Sequence, residues 1–272
     1  MVSQSTKMEI VNAPGTRWEY IAHKSNPSWY LDPIVAEQKR RVHQELARAW
    51  AGEYPQCVLK TDVFEEAYGA DQILFDLFPA ARCVIGIDLS FSTVARARSN
   101  CCCAPPYFVA GDVRSLPLQS DSVDLIVSNS TLDHFGSGTE FRASLKELYR
   151  VLRPGGRLII TMDNLSNPLY RLLRLLSSLP WSPYPLGYTT SRAGLISSLE
   201  DTGMEVIATG TLMHNPRVVS TVLFLALRRV LRERADTPVR LLVRLFAKLE
   251  KLPTRRLTAC WVCACGRKPL DQ

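Results

Sequence analysis

Short apolar runs alternate with amphipathic stretches along most of this chain. The runs are rich in Val and Ile and end at Gly, Pro or acidic residues, which is typical of buried strands. We predict strands at Cys57–Leu59, Cys83–Asp88, Tyr107–Val109, Val123–Val127, Arg157–Met162 and Glu205–Thr209, with a last one near Trp261.

The intervening stretches carry apolar residues at helical spacing. The first predicted helix begins at Asp32, which can cap it, has Pro33 in its first turn, and ends at Gly52. Strands that alternate with helices across short loops predict an α/β fold, in which a parallel sheet carries helices on both faces. The other predicted helices are Gln72–Phe78, Ser92–Arg98, Phe141–Leu152 and Ser191–Thr202.

Polar residues follow several of the predicted strands. In parallel sheets, ligands bind outside the carboxyl ends of the strands. Asp88 ends one strand, where a carboxylate can accept hydrogen bonds from both hydroxyls of a ribose. Asp112 follows the next strand, and together with the backbone N–H of Val113 it could read an adenine edge. These positions make the loops the first places to look for a ligand site.

Four motifs follow one another along the chain, namely Asp88-Leu89-Ser90, Gly111-Asp112-Val113, Asp124 to Asn129, and Leu148 to Leu158 with its Leu-Arg-Pro-Gly-Gly. In this order they resemble the motifs of class I S-adenosylmethionine-dependent methyltransferases, closest to the type 11 group. The resemblance covers about residues 55–210 and implies a Rossmann-like, doubly wound, seven-stranded, mostly parallel sheet with helical cap insertions. It also implies S-adenosylmethionine as cofactor and a small organic acceptor, in specialised, glycan or lipid/quinone metabolism. The cofactor-binding residues that we expect are Asp62, Glu66, Gly69, Asp88, Leu89, Gly111, Asp112, Val113, Asn129 and Ser130.

The loop after the first strand departs from the family pattern. The family has a Gly-rich loop there, whereas this chain has Lys60 to Gly69, in which Gly69 is the only glycine. In one interpretation the pocket is degenerate and cofactor affinity is lost. In the other, which we favour, Asp62, Glu65 or Glu66 supplies a carboxylate to the cationic cofactor. A Lys60 that points away or pairs with these acids would agree with the second interpretation.

His134 follows the fourth strand and is the candidate catalytic residue. Methyl transfer needs a general base only if the acceptor must lose a proton, and His is the usual base near neutral pH. The alternative is that His134 packs the pocket or orients a loop. We identify no metal site, because Cys260 and Cys263 lack a second ligand pair and lie in a strand-like segment.

The chain divides into residues 1–54, an N-terminal extension whose helix closes the cofactor site or packs at the sheet edge, and a methyltransferase domain over 55–272. Cap insertions are expected near 165–190 and 215–255. The net charge of +7 comes entirely from 217–256, which holds eleven Lys or Arg and three acids and is +8, while the remaining residues sum to about −1. That segment is either a lid, a peripheral membrane contact, or a helix packed on the domain or in a homodimer.

The remaining expectations concern binding partners, cellular location and alternative functions. The basic segment lacks a nucleic-acid-binding motif, so we expect no nucleic acid partner. The absence of an apolar leader or spanning segment favours a cytoplasmic protein. A nicotinamide-dependent oxidoreductase would need a G-x-G-x-x-G after the first strand, which is missing. A methyltransferase-like binding protein without turnover remains the alternative function.

Overall fold

Seven strands form one sheet in the computed structural model, which describes residues 18–19, 32–69, 72–74, 78–101, 106–177 and 186–270. The strand order is β3-β2-β1-β4-β5-β7-β6. Pairs from β3 to β5 are parallel, and β7 is antiparallel to β5 and to β6. The predicted α/β fold is confirmed. The strands are β1 Cys57–Lys60, β2 Cys83–Asp88, β3 Tyr107–Ala110, β4 Val123–Asn129, β5 Leu152–Asp163, β6 Glu205–Leu212 and β7 Trp261–Arg267.

Helices connect most of these strands. The first begins as predicted, because Asp32 Oδ1 accepts a hydrogen bond from the backbone N–H of Ile34 at 2.9 Å. The described helices are α1 Pro33–Trp50, α2 Phe64–Tyr68, α3 Phe91–Asn100, α4 Gly138–Val151, α5 Pro168–Ser177, α6 Arg192–Glu200, α7 Arg217–Leu231, α8 Asp236–Ala247 and α9 Arg255–Thr258. Each described helix is too short or too polar to cross a membrane.

The sheet buries both of its faces. Successive strand residues point to opposite sides, so Leu59 and Ile126 join one apolar cluster while Val58 and Leu125 join another. Helices α4 and α6 cover the first face, and α1 covers part of the second. This two-sided burial explains the continuous apolar runs in the sequence.

The start of one strand differs from the prediction. Strand β5 begins at Leu152, not at Arg157, so Pro154, Gly155 and Gly156 are part of a strand. A register shift between Val123 and Leu125 accommodates this segment, and Gly155 takes a φ of 80° that favours glycine. The predicted helix Gln72–Phe78 includes residues 75–77, which lie outside the described residues. Helix α2 was not predicted, whereas α7 lies within the helical insertion expected near 215–255.

The cysteines of β7 fill the core. Cys263 and Cys265 are buried, and burial raises the pKa of their thiols to about 12 and about 11. Thiols with such pKa values stay protonated and are poor metal ligands. No group of three metal-ligating side chains occurs in the part of the chain that the structure describes.

A buried ion cluster shapes the loop between β1 and α2. Lys60 is 1% exposed, and its Nζ donates to Glu66 Oε2 at 2.8 Å and to Glu65 Oε2 at 3.2 Å. The same ammonium also donates to the carbonyl of Asp62. Burial alone would lower the pKa of Lys60, but these acids raise it above its usual value. Lys60 therefore pairs with the acids, which agrees with the second interpretation of this loop.

Glu66 holds the other side of the same cluster. Its side chain is fully buried, and Oε1 accepts the backbone N–H groups of Ile73 and Leu74 at 3.1 and 2.9 Å. Val63 packs against Gly86 of β2, where a Cβ would come within 2.6 Å of its Cγ1. The loop thus keeps its shape through charge pairing and one close packing contact.

Replacing Lys60 by Met should lower the free energy of unfolding by about 3–5 kcal/mol, because the buried Glu66 carboxylate loses its counter-charge. The double variant Lys60→Met/Glu66→Gln should recover most of this loss, since no buried charge is then left alone. Urea unfolding measures both.

The matched control is Arg41→Ala, which removes an exposed pair with Glu45 and should change stability by less than about 0.5 kcal/mol. A Lys60→Met effect as small as this control would contradict a structural role for the cluster.

Candidate active site

Asp88 lies at the carboxyl end of β2, and the backbone fixes its carboxylate. The N–H of Ser90 donates to Oδ1 at 2.9 Å, and the N–H of Val63 donates to Oδ2 at 3.3 Å. Because Val63 belongs to the loop after β1, Asp88 joins the ends of two neighbouring strands. Each oxygen keeps a further lone pair that can accept a hydroxyl.

Asp62 brings a second carboxylate to this edge. Its Oδ1 accepts the N–H of Phe64 at 2.7 Å, and the side chain is partly exposed. Burial, with the charges of Glu65 and Asp88, raises the pKa of Asp62 well above its usual value. Burial likewise raises the pKa of Asp88 to about 6. Two carboxylates in this state favour a cationic ligand, because its charge would stabilise their ionised forms.

Glu66 and Gly69, which we expected at the cofactor, are placed differently. Glu66 has no exposed surface, and both oxygens bond to the protein itself, so it has no free atom for a ligand in this structure. Gly69 ends α2, and its N–H donates to the Glu65 carbonyl at 2.8 Å. Asp62 of the same loop is, by contrast, partly exposed.

Asp112 follows β3 and is paired within its own turn. Arg114 Nε lies 3.0 Å from both carboxylate oxygens, and Arg114 also contacts Glu140 at the start of α4. Although burial opposes it, this pairing lowers the pKa of Asp112. Asp112 is thus a fixed anion, and Gly111 and the buried Val113 beside it belong to the same turn. Leu89 lies between Asp88 and the cap of α3 and is partly exposed.

The end of β4 forms a tight hydrogen-bonded turn. Asn129 is the last strand residue and is 7% exposed, while Ser130 adopts a left-handed φ of 51°. Ser130 Oγ donates to Asp133 Oδ2 at 2.7 Å, and the N–H of Asp163 donates to the same oxygen at 3.0 Å. The Oδ1 of the buried Asp133 has no hydrogen-bond partner. This turn therefore presents a pre-positioned acceptor between β4 and β5.

His134 is exposed, and its ring contacts Trp18 of the N-terminal region. The two ring centroids are 4.9 Å apart in an edge-to-face arrangement. The adjacent residue Glu19 accepts hydrogen bonds from the hydroxyls of Ser90, at 2.7 Å, and Ser92. Trp18 thus contacts the loop after β4, and Glu19 contacts the loop after β2. Because β1 lies between β2 and β4 in the sheet, these two residues bridge the end of β1. The sequence, polar and aperiodic there, gave no signal for this contact.

Gly187 brings another segment to the His134 turn. A Cβ on Gly187 would lie 2.2 Å from the carbonyl oxygen of Asp133 and 2.6 Å from that of Phe135. The N–H of Tyr188 donates to the Phe135 carbonyl at 2.6 Å. Only glycine allows this approach, so Gly187 and Tyr188 lie against one side of the His134 turn. Sequence reasoning missed this residue.

A second polar group lies beyond β5, where β6 ends and β7 begins. His214 and Asn215 follow β6 and are 3% and 5% exposed. His214 Nδ1 lies 2.8 Å from Thr258 Oγ1, but its Nε2 has no partner, and neither does Oδ1 or Nδ2 of Asn215. Burial lowers the pKa of His214, so the neutral ring is favoured. Buried polar atoms that lack partners are costly and mark places where a ligand can bond.

Residues 66–160 match the family described as "Methyltransferase domain". A curated relative, the "Probable S-adenosylmethionine-dependent methyltransferase" of Mycolicibacterium smegmatis, is 35% identical over 128 residues, which are 45% of this chain and 43% of the relative. The chain thus spans less than half the length of that relative.

Two solved structures share the fold. The N-methyltransferase NodS of Bradyrhizobium japonicum, in complex with S-adenosyl-L-homocysteine, matches with a TM-score of 0.57 and 14% identity, over 93% of this chain and 97% of NodS. The [4+2]-cyclase SpnF matches with a TM-score of 0.58 and 19% identity, over 98% and 96%. Over part of its length the chain is thus similar to S-adenosylmethionine-dependent methyltransferases, and it shares its fold with an N-methyltransferase.

The unpartnered amide of Asn215 generates a stability prediction. Asn215→Leu should raise the free energy of unfolding by about 1 kcal/mol, because it removes buried polar atoms that gain no hydrogen bond. The matched control is Asn164→Leu, since the fully buried Asn164 bonds the carbonyls of Arg256 and Ala259 and the N–H of Ser166. The Asn164→Leu variant should lose about 2 kcal/mol or more of its free energy of unfolding. If urea unfolding shows that Asn215→Leu is destabilised as much as Asn164→Leu, the Asn215 amide is structural.

Proposed function

We propose that this protein transfers the methyl group of S-adenosylmethionine to a small organic acceptor. The observation that carries the proposal is the fixed carboxylate of Asp88 at the end of β2. Two backbone N–H groups orient it, and its remaining lone pairs suit the two hydroxyls of a ribose. The family match over 66–160 supports the same cofactor.

The donor set of this edge fits the cofactor. Asp88 would hold the ribose, the turn at Gly111, Asp112 and Val113 would hold the adenine, and Asp62 would face the cationic amino-acid part. The cofactor supplies a methyl group that its sulfonium already activates, so the protein's work is alignment and exclusion of water. Trp18 and Gly187, on two sides of the His134 turn, would exclude water there.

The acceptor side would lie between the His134 turn and the end of β6. Strands are about 4.8 Å apart, so β6, two strands beyond β5, lies about 10 Å from it. An acceptor that reaches both ends would be extended, with its distant polar group on His214 Nε2 and Asn215. The Thr258 hydroxyl lies 3.4 Å from the Arg255 carbonyl and donates its proton to that carbonyl. Its oxygen is then the acceptor for an N–H at His214 Nδ1, which leaves His214 Nε2 as a hydrogen-bond acceptor. His134 remains the proposed base beside the methyl group, where a base is needed.

The altered first loop supports a second candidate, a protein that binds the cofactor without methyl transfer. Lys60 and Glu66 fill the place where the family has glycines, and SpnF, with the same fold, is by its name a cyclase. Cofactor affinity alone cannot separate the two candidates, so turnover has to be measured.

Binding of S-adenosylmethionine or S-adenosylhomocysteine should weaken about tenfold to a hundredfold in Asp88→Ala, because a charged acceptor of hydrogen bonds is lost. Calorimetry measures this, and Asp201→Asn, an exposed carboxylate at the end of α6, is the control that should bind normally. Unchanged affinity in Asp88→Ala would contradict the placement of the ribose.

The affinity should also depend on pH. The pKa of Asp88 is raised to about 6 without ligand, and ionised Asp88 is the form that accepts both hydroxyls. Affinity should therefore be full above pH 7 and fall by about tenfold per pH unit below 6. Lys60, Glu65 and Asp62 surround the group, and Asp62, whose pKa is also raised, would steepen the fall. Asp88→Asn should remove the part of the pH dependence that Asp88 causes. If the affinity of this variant changes with pH as in the wild type, Asp88 does not hold the ribose.

Turnover separates the two candidates. Release of S-adenosylhomocysteine, measured with methyl-labelled cofactor and a panel of phenols, amines and carboxylic acids, is expected for at least one acceptor class. His134→Ala should lower kcat for acceptors that must lose a proton and leave cofactor affinity unchanged. Tight cofactor binding without turnover on any class would favour the binding protein.

A further inference from the structure

Helix α7 presents apolar side chains on two opposite faces. Its inner face carries Ser220 and Phe224, which are buried, and Arg228. Arg228 Nε lies 2.6 Å from Asp32 Oδ2 at the start of α1, and Arg228 Nη1 contacts Asp236 at the start of α8. These contacts fix the orientation of α7, so the residues opposite to them must face away from the protein.

The outer face of α7 is an uninterrupted apolar stripe. Its residues recur at spacings of three and four, which place them on one side of a helix. Val219 is 60% exposed, Val222 61%, Leu223 38% and Val230 77%, and the exposed Ala226 completes the stripe. An exposed stripe of this kind on a surface helix marks an interaction site more often than a single exposed residue does.

Helix α8 extends this surface with a mixed face. Val239 and Val243 are buried against the protein, while Leu241 and Leu245 are 66% and 55% exposed. Exposed basic residues lie beside these leucines on the outer side, namely Arg240 and Arg244 of α8 and Lys248 directly after it. We call the outer stripe of α7 and the outer side of α8 the cap face.

We propose that the cap face binds the surface of a lipid bilayer that contains anionic lipids. Leucine and valine that enter the boundary between headgroups and acyl chains, beside arginine and lysine that contact anionic headgroups, are the arrangement of an interfacial helix. Residues 217–256 contain eleven basic and three acidic residues, whereas the remaining chain is close to neutral. The positive charge and the exposed apolar surface therefore coincide.

The same charge disfavours the other occupants. A second copy of this chain, bound face to face, would bring two basic surfaces together and would be opposed by their repulsion. A nucleic acid would satisfy the arginines but would leave the valines of α7 exposed, since its outer surface is charged phosphate. The cap face begins just after β6, next to His214 and Asn215, so a membrane there would present lipophilic molecules to the proposed acceptor side.

Flotation with vesicles tests the proposal on the full chain. Vesicles of phosphatidylcholine with about 30% phosphatidylserine should bind the protein at least about tenfold more tightly than pure phosphatidylcholine, and salt should weaken the binding. Val222→Glu/Leu241→Glu should abolish it, and because both side chains are exposed, folding should be kept, which circular dichroism checks.

Two controls match these variants. Tyr107→Glu changes an apolar side chain of similar exposure on β3, at the opposite edge of the sheet, and should bind vesicles normally. Arg244→Glu should weaken binding several-fold, whereas Arg98→Glu, an exposed arginine on α3, should not.

Three results would overturn the proposal: no preference for anionic vesicles, equal binding by wild type and the double variant, or a dimer that the double variant dissociates in sedimentation. The last would assign the cap face to a second copy. Because vesicle binding is measured without cofactor or acceptor, it can fail while methyl transfer stands, and the reverse also holds.

Discussion

The buried pairing of Lys60 with Glu66 is the interaction on which the candidate cofactor site depends. A turn built of glycines needs no side chains to hold it, whereas this turn is held by an ammonium among three acids and by two backbone N–H groups. Such a cluster is stable only when complete, because each partner left alone would be a buried, uncompensated charge. The loop is therefore rigid for electrostatic reasons, and Asp62 and Val63 take their places from it.

The ends of the strands were predictable and the contacts between distant segments were not. Asp88 could be placed at the carboxyl end of its strand because an acid after an apolar run at this point of an α/β pattern has few other positions. The direction of Lys60 and the burial of Glu66 depend on where α2 turns, and no spacing in the sequence encodes that. Trp18 meets His134 through the tertiary fold alone, and nothing periodic surrounds it.

Helices α7 and α8 show a different limit of sequence reasoning. A helix packed on the domain was one interpretation of residues 217–256, and Val239 and Val243 are indeed buried. That interpretation gives no warning that Leu241 and Leu245 face outward, or that α7 is apolar on the side away from the protein. Hydrophobic periodicity reports how a helix is patterned, but only the structure reports which of its faces is covered. For the same reason His214, which had no distinguishing feature in the sequence, gains one from its unpartnered Nε2.

Arg228 links α7 to the candidate cofactor site through α1. It pairs with Asp32, which caps α1, and Lys39 on the same helix pairs with Glu65 of the loop after β1 at 3.1 Å. Helix α1 therefore makes one ion pair with α7 and another with the loop after β1. If occupancy of the cap changes the position of α1, the two regions share a coupling free energy, and linkage requires this to be reciprocal. If binding to the membrane raises the affinity for the cofactor by some factor, bound cofactor must raise the affinity for the membrane by the same factor. The fraction of the protein on the membrane would then increase with the cofactor concentration.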